Sequence, residues 1–164
     1  MRTQARQRSS ALLALVAALA APPVFATVSC SVSATALAFG TYSELSGSPL
    51  TSNSAITVTC TLLSGSAITV TATTSLNTGS SGSFVTRTML AGAQTLNYNI
   101  YTTGSFTVIW GDGSGGTSQY VFSLPLTPSS PTNQGTHNAR GRIPVAQSVA
   151  PGSYTDTMTV TVNY

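Results

Sequence analysis

The residues able to do chemistry are few: one histidine, His137, and three carboxylates, Glu44, Asp112 and Asp156, in a chain of 164 residues. A hydrolase-like set can be assembled on paper from a serine, His137 and Asp156. A serine nucleophile of that kind sits on a Gly-x-Ser-x-Gly elbow between a strand and a helix, and no such setting occurs here. One histidine and scattered carboxylates also fall short of the three or four ligands that zinc or calcium takes. The sequence therefore points away from an enzyme, and no metal or cofactor is expected. Trp110-Gly-Asp112-Gly113-Ser-Gly-Gly has two readings. It is either a ligand loop, with Trp110 as a stacking platform and Asp112 as a polar contact, or a hairpin turn. A type I′ turn uses Asp-Gly at its centre, and Trp110 then only fills core. The turn accounts for the same residues more economically. Arg140-Gly-Arg142 reads as a small anion-binding patch or, more economically, as a structural pair in which Arg142 meets Asp156. Arg87 carries the same two readings. His137 is expected in a surface loop or at a strand edge.

These residues lie in a chain built for export. Arg2, Arg6 and Arg8 precede an unbroken run of Ala, Leu and Val from Ala11 to Ala21, followed by Pro22, Pro23 and Val24-Phe25-Ala26. A basic start, a short apolar core and small residues at a cleavage site make a secretory signal, residues 1–26. Cleavage is expected after Ala26, with Ala20 or Ala21 as alternatives. The apolar run is about half the roughly 20 residues of a spanning helix, so no membrane span is expected afterwards. The chain carries six basic residues against three acids. Three of the arginines belong to the signal, so residues 27–164 keep Arg87, Arg140 and Arg142 against the three acids. A nucleic-acid binder needs a basic stripe, and none is present.

Residues 27–164 are long enough for one domain with a core. Their pattern is strict alternation, the signature of strands with one apolar and one polar face. The clearest is Tyr154-Thr-Asp-Thr-Met158-Thr-Val160-Thr-Val162-Asn-Tyr164, apolar on most even positions. Ile56–Leu62, Ile68–Ala72 and Leu96–Ile100 repeat it. Weaker candidates are Val28–Val32, Leu37–Phe39, Phe106–Trp110, Tyr120–Leu124 and His137–Val145, and Pro128 to Gly135 reads as a turn. Many short strands with Gly, Pro and Ser turns imply an all-β sandwich or barrel. Cys30 and Cys60 form an even pair in an exported chain, which reads as a disulfide between the N-terminal strand and the Ile56–Leu62 strand.

In order along the chain, Leu37-Ala-Phe39-Gly-Thr-Tyr42, Ile56-Thr-Val-Thr-Cys60, Arg87-Thr-Met89, Leu96-Asn-Tyr-Asn-Ile-Tyr101, Trp110-Gly-Asp-Gly113, Gly141-Arg-Ile-Pro144 and Gly152-Ser-Tyr-Thr-Asp-Thr-Met-Thr-Val-Thr-Val162 resemble the spore coat protein U domain. That domain also builds the subunits of archaic, Csu-type chaperone–usher pili. The resemblance implies an immunoglobulin-like β-sandwich lacking one strand, with Cys30 and Cys60 as its disulfide. It implies a periplasmic chaperone that lends a strand, an outer-membrane usher, and other pilin subunits as partners, at the cell surface or in a fibre. Tyr154, Met158, Val160, Val162 and Tyr164 would form the edge that accepts the strand. Cleavage after Ala26 leaves only Thr27, Val28 and Ser29 ahead of Cys30, too little to donate a strand onward. Earlier cleavage retains Pro22 and Pro23, which cannot donate to a ladder. A chain that receives a strand but gives none is expected at a fibre tip or end. The alternatives are a self-contained coat protein of spore or cell surface, and a small carbohydrate-binding module using Trp110, Tyr42 and Tyr101.

Overall fold

A computed structural model of the chain describes residues 25–164, so residues 1–24 of the expected signal lie outside the described residues. Eight strands account for the described regular structure: β1 (Thr27–Ala34), β2 (Leu50–Ser64), β3 (Ile68–Leu76), β4 (Arg87–Ala91), β5 (Gln94–Tyr101), β6 (Tyr120–Leu126), β7 (Thr132–Ile143) and β8 (Val160–Asn163). One short 3-10 turn, Gly79–Ser81, lies between β3 and β4. No helix among the described residues is long and apolar enough to cross a membrane.

The strands form two antiparallel sheets, β1-β2-β7-β5-β4 and β6-β3-β8, stacked as a sandwich. Alternation sets which face is buried. On β2, Ile56, Val58 and Cys60 are at most 2% exposed, while Thr57, Thr59 and Thr61 face outward. Val70, Ala72 and Leu76 of β3 and Phe122, Leu124 and Leu126 of β6 meet them from the facing sheet. Cys30 stands directly opposite Cys60 in the β1–β2 register, and the two are joined by a disulfide. The bridge therefore ties neighbouring strands of one sheet rather than sheet to sheet.

Several expectations are corrected. Leu37–Phe39 is irregular, and its apolar side chains pack on the core instead of joining a ladder. Phe106–Trp110 is a turn in which only Ile109 and Trp110 make isolated bridges, because Phe106 takes a positive φ of 56° that no strand allows. The turn at Pro128 ends by Pro131, and Thr132–Gly135 already belongs to β7. The alternating C-terminal stretch keeps its inside–outside pattern throughout, yet only Val160–Asn163 joins β3, from Leu76↔Val160 to Thr73↔Asn163. Earlier, Thr155 bridges Leu90 on the edge of the other sheet, so this stretch passes from one sheet to the other and cannot ladder along its whole length.

His137 is corrected too. His137 shares the inward odd-numbered face of β7 with Ala139 and Ile143, and opposite Ile56 it is only 4% exposed. Its ring stacks on Tyr120 at 3.8 Å and 6°, and meets Trp110 edge to face at 4.9 Å. Neither ring nitrogen has a hydrogen-bond partner among the described residues. Burial pushes its pKa from 6.5 down to about 4.

Candidate functional site

The side of the sandwich between β1 and β8 is open. Among the described residues, β1 pairs only with β2, and β8 only with β3, so each leaves one edge of its backbone unpaired there. The side chains on these two strands show the same incompleteness. Val28, Cys30 and Val32 of β1 and Val160 and Val162 of β8 point inward at alternate positions, yet all five stay half-buried. Equivalent positions on β2 are closed to solvent.

Where β1 ends at Ala34 and β8 begins at Val160, this side opens into a cleft of about 480 Å³. Its floor is Ile56, Leu76, Tyr98, Ile100, Trp110 and Ala139. One wall is Ala34 at the end of β1 with the irregular run Thr35–Leu37 and Phe39, and the other is Tyr154–Asp156, Met158 and Val160. Of the edge residues expected from sequence, Tyr154, Met158 and Val160 line this cleft. Val162 packs further along, beside Val28 and Cys30, and Tyr164 is largely exposed at 59%. A second cleft continues past Leu37, Phe39, Met89 and Tyr154 towards Tyr42 and Pro151.

Polar anchors hold the outer wall in place. Asp156 accepts from the Ser80 amide (2.9 Å) and hydroxyl (2.6 Å), the Tyr98 hydroxyl (2.7 Å) and the Thr157 amide (2.8 Å). Asn77 and Thr159 exchange two more bonds, at 2.9 and 3.1 Å. Burial, then the bond to Asp156, raise the Tyr98 phenol far above its ordinary value of 10.0. Gly79 lies against this wall with φ +63°, and a Cβ there would run into the Asp156 carboxylate and Met158 sulfur.

Behind the wall lies Arg87, fully buried. Its guanidinium donates to the Asn77 carbonyl twice (2.8 and 3.2 Å), the Trp110 carbonyl (2.8 Å) and Asn99 Oδ1 (2.7 Å). Burial pulls its pKa down from the ordinary guanidinium value, and nearby Tyr98 and Asp156 oppose that pull. Arg87 thus pins the Asn77 and Trp110 segments together, and Asn77 in turn holds Thr159.

The other candidates fall elsewhere. Trp110 is 1% exposed and donates from Nε1 to the Thr74 carbonyl, so its ring is floor and has no face open to a sugar. Asp112 caps its own loop, accepting from the Ser114 amide and hydroxyl, which lowers its pKa. Positive φ occurs at Gly113, Gly115 and Gly116 but not at Asp112, so the loop is not type I′. Asp156 and His137 have separate partners and form no catalytic pair. Arg142 lies over the Phe106 ring at 5.5 Å, and Asp156 is held by Ser80 and Tyr98 instead. Among the described residues, no three His, Cys, Asp or Glu side chains gather as a metal site.

The alternating signal located the β8 side of the cleft. It gave no hint of the Arg87–Asn77–Thr159 links or of the Asp156 contacts, which join separate segments and carry no local pattern. Leu37 and Phe39, apolar residues just after β1, were the visible trace of the opposite wall.

A model of the family described as Spore Coat Protein U domain matches residues 15–161. No curated protein is a significant match to the sequence. Among solved structures, the chain is similar to one in the CsuC–CsuE chaperone–tip adhesion subunit pre-assembly complex from archaic chaperone–usher Csu pili of Acinetobacter baumannii. That match has 23% identity and a TM-score of 0.55, and it covers 84% of this chain but 40% of the other.

Proposed function

This chain belongs to the Spore Coat Protein U domain family, and we propose that it is an exported, non-enzymatic pilin-like subunit that takes a partner's β-strand into the cleft between β1 and β8. The observation that carries this reading is the pairing of two unpaired strand edges with five inward apolar side chains left half-buried between them. A strand added there gains main-chain hydrogen bonds along an edge and buries alternate side chains in the cleft. Left open, the same edges invite non-specific pairing, which is why such a subunit needs an escort. A periplasmic chaperone supplies that strand in transit, and a neighbouring subunit supplies it in the fibre assembled at the usher. Exported through the periplasm, the chain ends at the cell surface.

Residues 1–26 act as its signal. If cleavage follows Ala26, the mature chain begins at the first residue of β1 and has no arm to donate, which suits a terminal or tip position. Mass spectrometry of the exported protein's N-terminus checks this point.

The strand-accepting reading is tested by co-expression with the cognate chaperone. The expected result is a stoichiometric complex in which those amides of Val160–Asn163 that point away from β3 gain protection from hydrogen exchange. Val160→Asp should abolish the complex. A monomeric chain that is equally stable without any partner, with no added protection along β8, would sink the proposal.

A further inference from the structure

A second surface, on the outer face of the five-stranded sheet and away from the cleft, has its own chemistry. Of the three arginines among the described residues, Arg87 is sealed in the core. The other two, Arg140 and Arg142, stand two residues apart on the outward face of β7, about 7 Å apart along the strand. The two arginines that reach the surface of the described domain, both half-buried, are thus gathered at one spot. Neither guanidinium has a carboxylate partner among the described residues. Arg140 donates to the Asn53 side-chain oxygen at 2.7 Å, and Arg142 lies over the Phe106 ring at 5.5 Å.

The surroundings are aromatic and amide-rich, not acidic. Tyr101 is the register partner of Arg140, and its ring meets Phe106 edge to face at 5.5 Å. Thr51 and Asn53, both exposed, are the β2 partners of Arg142 and Arg140. Phe106 holds this place with φ 56°, an unfavourable conformation for a bulky aromatic residue. Strain of that kind persists where the surrounding structure enforces it, and it is enriched at binding sites.

We propose that Arg140, Arg142, Asn53, Thr51, Tyr101 and Phe106 form a binding surface for a carboxylate-bearing polysaccharide. Two forks of planar donors suit sparse carboxylates. The aromatic rings offer apolar faces to sugar C–H groups, and the amide and hydroxyl pair with sugar hydroxyls. A membrane surface calls for a cluster of roughly 4–8 basic residues. Nucleic acid presents a charge every ~1.7 Å and calls for a basic stripe. Two arginines meet neither demand, whereas a sugar polymer with one charge per residue or fewer fits them. This surface is independent of strand acceptance, so either proposal can fail alone.

The test uses the full chain exported to a bacterial periplasm with its cognate chaperone and purified from it as the complex, or alone should no complex form, with polygalacturonate, neutral dextran, double-stranded DNA and phosphatidylglycerol vesicles as probes. Polygalacturonate should bind in a salt-sensitive manner and dextran should not. An Arg140→Gln/Arg142→Gln variant should bind polygalacturonate at least tenfold more weakly with an unchanged thermal midpoint. Arg142→Lys, which keeps the charge but loses the planar fork, should fall between the two. If the double variant misfolds, Arg140→Gln alone, which gives up only the Asn53 bond, must still weaken binding several-fold. Undiminished binding by these variants, no binding to polygalacturonate, or tighter binding to DNA or vesicles overturns the proposal.

Discussion

Acidification should destabilise this domain mainly through His137. The ring is enclosed by Tyr120, Trp110 and Phe122, and its nitrogens lack partners. No acid faces it: the inward residues of β2, β3 and β6 are apolar apart from Ser52, Ser54, Thr74 and Tyr120. The nearest charge tied to its neighbours is Arg87, which donates to the Trp110 carbonyl and disfavours a second cation. Burial lowers the folded pKa from 6.5 to about 4, so the unfolded chain takes up a proton first. Stability is therefore full above pH 6.5, falls as pH drops towards about 4, and levels off below that. The whole depression corresponds to about 3 kcal/mol, or roughly 10 °C in melting temperature for a domain of this size. With only three acids in the sequence, few other groups mask the effect. Denaturant unfolding at stepped pH, for the wild type and His137→Phe, measures it. The wild type should lose stability across the window while the variant stays nearly flat down to the carboxylate range. An equal loss in both proteins, or none in the wild type, would refute the reasoning.

Other perturbations have defined outcomes. Reducing the Cys30–Cys60 bridge, or replacing both cysteines with serine, opens a 30-residue loop and should cost about 3.5 kcal/mol, read from denaturation with and without reductant. Arg87→Met leaves the Asn77 and Trp110 carbonyls and Asn99 without their donor and should cost about 3 kcal/mol or more, with loosened amide protection around Asn77 and Thr159. Gly79→Ala meets a forbidding φ and a clash with Asp156, so it should cost about 1–3 kcal/mol and weaken chaperone capture beyond what the lost stability explains.

The alternation of Thr with Val, Ile, Leu and Met is a local property, since successive strand side chains point to opposite faces. It fixed the all-β class, placed most strands, and marked the inward set of Tyr154–Val162 even where no ladder forms. The even cysteine pair likewise anticipated a β1–β2 bridge, which the register then made possible by setting Cys30 opposite Cys60. Three matters were decided only by tertiary structure. The burial of His137 depends on β7 running back to Thr132 through a polar, Gly-containing stretch and on Trp110, Tyr120 and Phe122 closing over the ring. The burial of Arg87 depends on carbonyls supplied by segments 10 and 23 residues away. The open edge of β8 depends on which strands find partners, a global count that no local pattern holds. Residue type and spacing dictate which way each side chain faces; only the assembled sheets dictate what, if anything, it meets.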